Sequence, residues 1–488
     1  MTIPYEFTNR DIFNNILLLS DSYKYSHWKQ YPEGTNVVYS YLESRGSVKD
    51  KHGDTVYTET VFFGLKYIIE RYLSGVVVTD AKIREAKAII DAHMGPGVFN
   101  EDGWRYILDT YKGRLPVVIK AVPEGTVVPT GNVLMTIENT GGPKTAWLTN
   151  FLETVLTHVW SSTSVATNSR EIKKICKKYN ELTSDAPVDS IDFQVHDFGF
   201  RGVSSVETSG LNGAAHLVSF KGTDTVSAIT LLKNVYAAIE MPAFSIPATE
   251  HSTMTSWGRE FEVNAIENML DKFPTGIIAC VGDSYDIMDF VRDKVGTTLK
   301  NKVLSREGTL VVRPDSGDPV ITTERIIYAL WDKFGGTTNS KGFKVLDPHI
   351  RMIQGDGVDR EMIRKILDNF KNHGFSSENI AFGSGGGLLQ MFNRDTLKFA
   401  FKCSYIEVDG KPRDVRKYPM EFDSDGNYGP SFKISKAGRL DLAKAVDGTF
   451  MTLSEDNVVN GQLKTVFSDG YYIGSGNSLD KIRERASI

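Results

Sequence analysis

Short apolar runs rich in β-branched residues recur along the middle of the chain, and each breaks into a turn carrying Gly and Asp. FQVHDFGFRG ends at Gly202, IIACVGDS at Ser284, LVVRPDSG at Gly317 and IRMIQGDG at Gly357. A fifth run, NIAFGSGGGLLQ, spans residues 379–390. These read as strands followed by loops. Between them lie segments of helical period, such as Asp359 to Phe370, where Asp359 caps and Met362, Ile363, Ile366, Leu367 and Phe370 form one apolar face. Strand, loop and helix in repetition predict a parallel α/β barrel or open sheet. Loops at the carboxyl ends of such strands share one face, where ligands bind. Asp283, Arg313, Asp315, Asp356 and the Gly385–Gly387 loop are therefore expected to converge.

The flanks have another texture. Val37 to Leu42 reads as a strand, and residues 115–140 alternate β-rich runs with Pro-Glu-Gly and Pro-Thr-Gly turns, an antiparallel pattern. Helical stripes run through Ile83, Ala86, Ile90 and Met94, and through Ile172, Ile175, Cys176 and Tyr179. The breaker-rich TSDAPVDS, residues 183–190, marks a candidate boundary. Beyond Arg394 strands return, as in LKFAFKCSYIEV, and the Gly-, Ser- and Lys-rich residues 423–439 read as a mobile loop. The expected plan is a β-rich domain from both chain ends, residues 1–180 and 395–488, around an α/β barrel of residues 181–394.

A length of 488 residues exceeds one simple core, and 41% apolar with 24% charged residues is ordinary for a globular protein. The net charge of −5 supplies no basic field for nucleic acid. Cys176, Cys280 and Cys403 are far apart, with no metal-binding spacing, which fits a reducing cytoplasm. The first residues lack the pattern of a signal peptide, and no apolar run reaches the length of a membrane span.

Four glycines within five residues at 383–387 expose backbone N–H groups that no Cβ shields, the chemistry of a phosphate cradle. A single such turn is more often a plain tight turn, and one Asp after a strand is commonly a helix cap. Recurrence shifts the balance toward a site for a phosphorylated sugar with a divalent cation. Tyr23, Lys24, His27 and Lys29 form an aromatic and cationic loop, equally readable as a ring-stacking surface or an exposed loop without function.

With these residues in view, the chain resembles the nicotinamide phosphoribosyltransferase family almost end to end. The resemblance is carried by DSYKYSHWKQYP, AVPEGTVVPTGNVL, VATNSREIKK, HDFGFRGVSS, FKGTDTV, EHSTMTSWG, VGDSYDI, RPDSGDP, IQGDGVD, IAFGSGGGLLQ and FKCSY. It implies the type II phosphoribosyltransferase fold, an incomplete parallel α/β barrel beside an antiparallel β domain, working as a homodimer with shared active sites. It also implies transfer of phosphoribosyl from phosphoribosyl pyrophosphate to nicotinamide, with Mg2+ required and ATP stimulating through a phosphohistidine.

Carried over residue by residue, the resemblance implies that Phe198 and Tyr23 of a second subunit sandwich the pyridine ring, and that Asp224 accepts from the carboxamide. A nicotinate carboxylate about 4 Å from Asp224 would meet roughly 4 kcal/mol of repulsion at an effective dielectric of 20, so nicotinamide is the expected base. His251, flanked by Glu250, Ser252 and Thr253, matches the phosphorylated histidine. Arg201 and Arg313 match phosphate- and base-site arginines, and Arg394 matches one at the phosphate cradle with Gly385 and Gly386. Asp315, Gly355 and Asp356 match the ribose site, and Asp283 is the candidate for magnesium. Arg45, Lys402 and Lys417 match basic residues that reach phosphate across the dimer. Two departures stand out: Ala400 replaces an expected serine, and the loop at residues 46–54 is shorter than in animal members. Three alternatives remain open. They are a nicotinate phosphoribosyltransferase, a non-catalytic nucleotide-binding regulator, and a generic barrel phosphate binder such as an aldolase, for which no lysine stands clearly at a strand end.

Overall fold

The structure is a computed structural model that describes residues 11–49, 55–422, 426–430 and 435–488. The shortened loop at 46–54 and the loop at 423–439 therefore lie partly outside the described residues. The chain forms two compact units, Met1–Ser164 with Asn393–Asn477, and Val165–Phe392 with Ser478–Ile488.

The first unit is organised on a seven-stranded sheet. Its strand Thr35–Ser44 pairs antiparallel with Phe399–Val408 on one side and Val133–Asn139 on the other, so distant parts of the chain meet in one sheet. Val117–Ala121 continues it beside Val133–Asn139, followed by Lys464–Ser468. A large apolar cluster that includes Tyr41, Leu42, Ile119 and Met135 forms the core. Trp104 closes it, edge-on to Trp147 and Phe151 with centroids 4.8 and 5.3 Å away.

The second unit is a half-barrel of six parallel strands. Their order is Gly222–Thr223, Val195–Asp197, Ile380–Ser384, Ile350–Gln354, Glu307–Arg313 and Thr275–Val281. Residue alternation divides each strand between two environments. Ile278, Cys280, Leu310 and Val312 are fully buried, whereas Ile277, Ala279, Thr309, Val311 and Arg313 line an interior cavity. The helices Pro319–Phe334 and Arg360–Asn372 begin at Asp caps. Asp318 Oδ1 accepts from the Val320 and Ile321 N–H groups at 3.0 Å, and Asp359 Oδ1 from Met362 N–H at 2.7 Å. The fold class expected from the sequence, a parallel α/β half-barrel with antiparallel sheet, is the one observed.

The division between units differs from the boundaries at 180 and 394. The helix Val159–Thr183 runs through the first boundary without a break, and the breaker-rich segment after it ends the helix instead. Residues 478–488 belong to the barrel unit, because the helix Leu479–Ala486 is tied there. Arg483 Nε donates to Leu217 O at 3.0 Å and its Nη2 to Pro242 O at 2.7 Å. Among the described residues no helix is long and apolar enough to cross a membrane.

Candidate active site

The cavity of the half-barrel measures about 750 Å³ and is lined by Phe198, Asp224, Arg313 and the apolar side chains of Ile246, Ala279, Val311 and Ile353. Phe198 is half-buried and packs against the cluster of Ala279, Val311 and Ile353. Its ring position demands glycine beside it. A Cβ at Gly383 would fall 1.9 Å from Phe198 Cε2, and one at Gly355 would fall 3.1 Å from Asp315 Oδ1, 3.4 Å from Arg313 Cδ and 3.7 Å from Phe198 Cε2. The expected residues Phe198, Arg313, Asp315 and Gly355 thus meet at one point.

Asp224 is exposed at the cavity wall and accepts a hydrogen bond from the Ser245 hydroxyl. His196 lines the same wall, and burial holds its imidazole below the usual histidine value. Arg313 Nε is buried with no hydrogen-bond partner, and its nearest carboxylate oxygen, Asp315 Oδ1, is 3.9 Å away. A buried cationic donor lacking an acceptor is suited to an anionic or carbonyl ligand.

His251 opens the helix His251–Thr255, whose Glu250 cap and Thr253 form a reciprocal capping box. Its Nε2 lies 3.0 Å from Asp283 Oδ1, and its Nδ1 is 3.9 Å from Asp315 Oδ2. Asp283 Oδ2 accepts from the Asp315 N–H at 3.0 Å and the Ser316 hydroxyl at 2.5 Å. Burial alone would raise the Asp283 carboxyl. The hydrogen bonds from Ser316, His251 and the Asp315 amide outweigh it and hold the group below the ordinary aspartate value. Both oxygens of Asp283, the candidate for magnesium, are engaged by hydrogen bonds. Among the described residues no group of three or more His, Cys, Asp or Glu side chains is gathered to hold a metal alone.

The Gly385–Gly387 loop follows the strand Ile380–Ser384 and leads into a single helical turn, Gly386–Leu389. So short a helix adds little dipole, and the three glycines are half-buried. The turn at Phe200–Gly202 abuts this loop, since a Cβ at Gly202 would lie 3.0 Å from Gly386 N. Arg201 on that turn and Asp356 beyond Gly355 are both exposed.

Tyr23, Arg45, Arg394, Lys402 and Lys417 belong to the first unit. Tyr23 is exposed and edge-on to His27 at 5.0 Å. Arg45 Nε pairs with Glu43 Oε1 at 2.8 Å, while its Nη2 is buried without a partner. Arg394 and Lys417 are exposed. Burial, followed by the charges of Arg45, Lys417 and Arg394, pushes the Lys402 ammonium below its usual value, whereas Glu153 pulls it the other way. Such a crowd of cations is relieved by an anion. Ala400 is half-buried on the strand that carries Lys402.

Ser245, Ser316 and Asp197 were missed by sequence reasoning, and Gly383, read as part of the glycine cradle, instead leaves room for the Phe198 ring. Ser316 sits in the noted RPDSG run, but Ser245, in PAFS, carries no spacing signal.

The cavity runs through the interior of the parallel half-barrel, from Ile277, Thr309 and Ile380 near the strands' amino ends to Phe198, Asp224 and Arg313 at their carboxyl ends, in the fold of the type II phosphoribosyltransferases. Solved structures agree in fold. Nicotinate-nucleotide pyrophosphorylase from Pyrococcus furiosus superposes with a TM-score of 0.61 at 14% identity, covering 99% of this chain and 97% of that one. Human nicotinic acid phosphoribosyltransferase gives 0.55, also at 14% identity, covering 96% and 93%. The model of the nicotinate phosphoribosyltransferase (NAPRTase) family matches residues 193–471, and that of the nicotinamide phosphoribosyltransferase N-terminal domain matches residues 15–119. A nicotinamide phosphoribosyltransferase of Xanthomonas campestris is 45% identical over 97% of this chain and 98% of its own length. One from Acinetobacter baylyi is 33% identical over 96% and 97%. The chain belongs to the nicotinamide phosphoribosyltransferase family, enzymes that transfer phosphoribosyl in NAD biosynthesis.

Proposed function

We propose that this enzyme joins nicotinamide to phosphoribosyl pyrophosphate, releasing pyrophosphate and nicotinamide mononucleotide, and that ATP drives the reaction through phosphorylation of His251. The observation that carries the base assignment is the cavity shared by Phe198, Asp224 and Arg313. A flat ring stacks on Phe198, Arg313 donates to a carbonyl, and Asp224 accepts from an amide N–H. A carboxylate base would face Asp224 with like charge.

The ring nitrogen's lone pair forms the bond to C1′ as the C1′–O bond to pyrophosphate breaks. Positive charge builds on the sugar and then on the ring, and negative charge on the departing pyrophosphate. Asp315 and Asp356 hold ribose hydroxyls, and the Gly385–Gly387 amides with Arg201 and Arg394 receive phosphate. A second copy of the chain supplies Tyr23 to the other ring face and Arg45, Lys402 and Lys417 to the leaving group. Magnesium, bound with the substrate, supplies further neutralisation of pyrophosphate charge.

With Nε2–H of His251 donated to Asp283, Nδ1 keeps the free lone pair. It takes the γ-phosphoryl of ATP and releases ADP, and water later cleaves the phosphohistidine. The test is product formation from nicotinamide, phosphoribosyl pyrophosphate and Mg2+, with and without ATP, in wild type and His251→Ala. Enhancement by ATP only when His251 is present is the expected result. Product from nicotinate alone would instead assign the enzyme to that base.

A further inference from the structure

We propose that Asp197 is the positioning residue of the base pocket, fixing Phe198 and Asp224 relative to each other; this rests on the reading of that pocket given above. Asp197 ends the strand Val195–Asp197 and is fully buried. Its Oδ1 accepts from the Gly199 N–H at 2.7 Å, which closes the turn that carries Phe198. Its Oδ2 accepts from the Thr223 hydroxyl at 3.1 Å, and its carbonyl accepts from the Asp224 N–H at 2.9 Å. The amide after Phe198, the residue before Asp224 and the amide of Asp224 itself all end on one residue.

Space has been left for it. A Cβ at Gly199 would stand 3.0 Å from Asp197 Oδ1, and one at Gly213 would stand 3.0 Å from Oδ2. Among the described residues no cation pairs with it, and the charge bearing on it most strongly is Asp224, of like sign. Burying an unpaired carboxylate is unfavourable, and an amide or hydroxyl would satisfy parts of the same network without charge. The carboxylate gives shorter, stronger bonds to the two donors.

The test is steady-state kinetics of the full-length enzyme with nicotinamide and phosphoribosyl pyrophosphate varied separately. The variants are Asp197→Asn, Asp197→Ala, Thr223→Val and Thr223→Ser. Removing both charge-assisted hydrogen bonds is expected to raise the nicotinamide KM by on the order of tenfold or more in Asp197→Ala, with a smaller rise in Asp197→Asn, which keeps neutral bonds, and in Thr223→Val, which loses one. The phosphoribosyl pyrophosphate KM is expected to stay within about twofold, as for a loss confined to one substrate's binding. Thr223→Ser, which keeps the donor, restores wild-type behaviour. Equal rises in both KM values, or an unchanged nicotinamide KM in folded variants, overturn the positioning role. Should the Asp197 variants fail to fold, the Thr223 pair decides it by the same criterion. Active wild type with unaltered variants removes this role alone, whereas wild type inactive with nicotinamide removes the pocket reading and this role together.

Discussion

His251 Nε2 stands 3.0 Å from Asp283 Oδ1, and the other oxygen of that carboxylate is held by the Asp315 amide and the Ser316 hydroxyl. Three donors on one carboxylate fix the imidazole's tautomer and aim Nδ1 outward. If His251 takes phosphoryl as proposed, Asp283→Asn removes the charge that would stabilise the ring in that step. The ATP-dependent enhancement should fall on the order of tenfold, the scale of a lost charged hydrogen bond, while turnover without ATP changes little. Equal loss with and without ATP would show instead that Asp283 serves the glycosyl step. The Asp283 carboxyl sits below its ordinary value when folded. The stability it contributes is therefore present above the unfolded value of about 3.9 and is lost as pH falls through the lower folded value. Acid unfolding below about pH 4 should be shallower in Asp283→Asn.

Phe198 and Gly383 cannot both keep their places if the glycine gains a side chain, since the added Cβ would lie 1.9 Å from the ring. Gly383→Ala should turn the ring into the cavity, lowering stability by about 1–3 kcal/mol as for other overpacked sites. It should raise the nicotinamide KM far more than that of phosphoribosyl pyrophosphate. Thermal unfolding and the two KM values measure these effects separately. An unchanged nicotinamide KM would remove Phe198 from the base site.

On the proposed reading of the base pocket, Asp224 selects between the two bases. Asp224→Asn replaces repulsion by a neutral amide, so nicotinate should gain relative to nicotinamide, by up to roughly a thousandfold in the ratio of kcat/KM values if the full 4 kcal/mol applies. Competition between the two labelled bases measures the ratio directly. A ratio that does not move would show that selection lies in Arg313 or Ser245.

Much of this was legible in the chain, for physical reasons. Runs such as IIACV and LVVR are too β-branched and too short for helices, and the Asp caps at 318 and 359 announce the helices that follow. The same runs place Asp283, Arg313 and Asp315 at strand ends. What was not legible depends on long-range capture. Arg483 ties the last helix to the carbonyls of Leu217 and Pro242, which no local pattern signals. Ser245 reaches Asp224 from a loop twenty-one residues away in sequence. The helix Val159–Thr183 carries no breaker where the units divide, so the boundary was read at its end.

Lys402 is held below its usual value by burial and by Arg45, Lys417 and Arg394. A bound polyphosphate would reverse that pressure. Lys402→Gln should raise the phosphoribosyl pyrophosphate KM on the order of tenfold, as for a lost charged contact, and should weaken its dependence on salt. The nicotinamide KM serves as the control. If salt dependence is unchanged, the cluster is not the phosphate site.

Asp197 makes a separate prediction about stability. Burial pushes its carboxyl up to about 6 against the pull of the Gly199 amide and the hydroxyl side chains around it. Raising an aspartate from 3.8 to about 6 makes its ionisation cost roughly 3 kcal/mol more in the fold than in the unfolded chain. Its favourable contribution is complete below the unfolded value near 3.9 and disappears as pH rises through about 6. Asp197→Asn lacks this titration. Relative to the variant, wild type should lose up to roughly 3 kcal/mol of unfolding free energy between about pH 4 and pH 7.5. The gap between the two denaturant midpoints should therefore shift in the variant's favour as pH rises through this range. Denaturant midpoints measured across that range decide it. Parallel pH profiles for the two proteins would mean that the carboxyl titrates normally and that its burial carries no such cost.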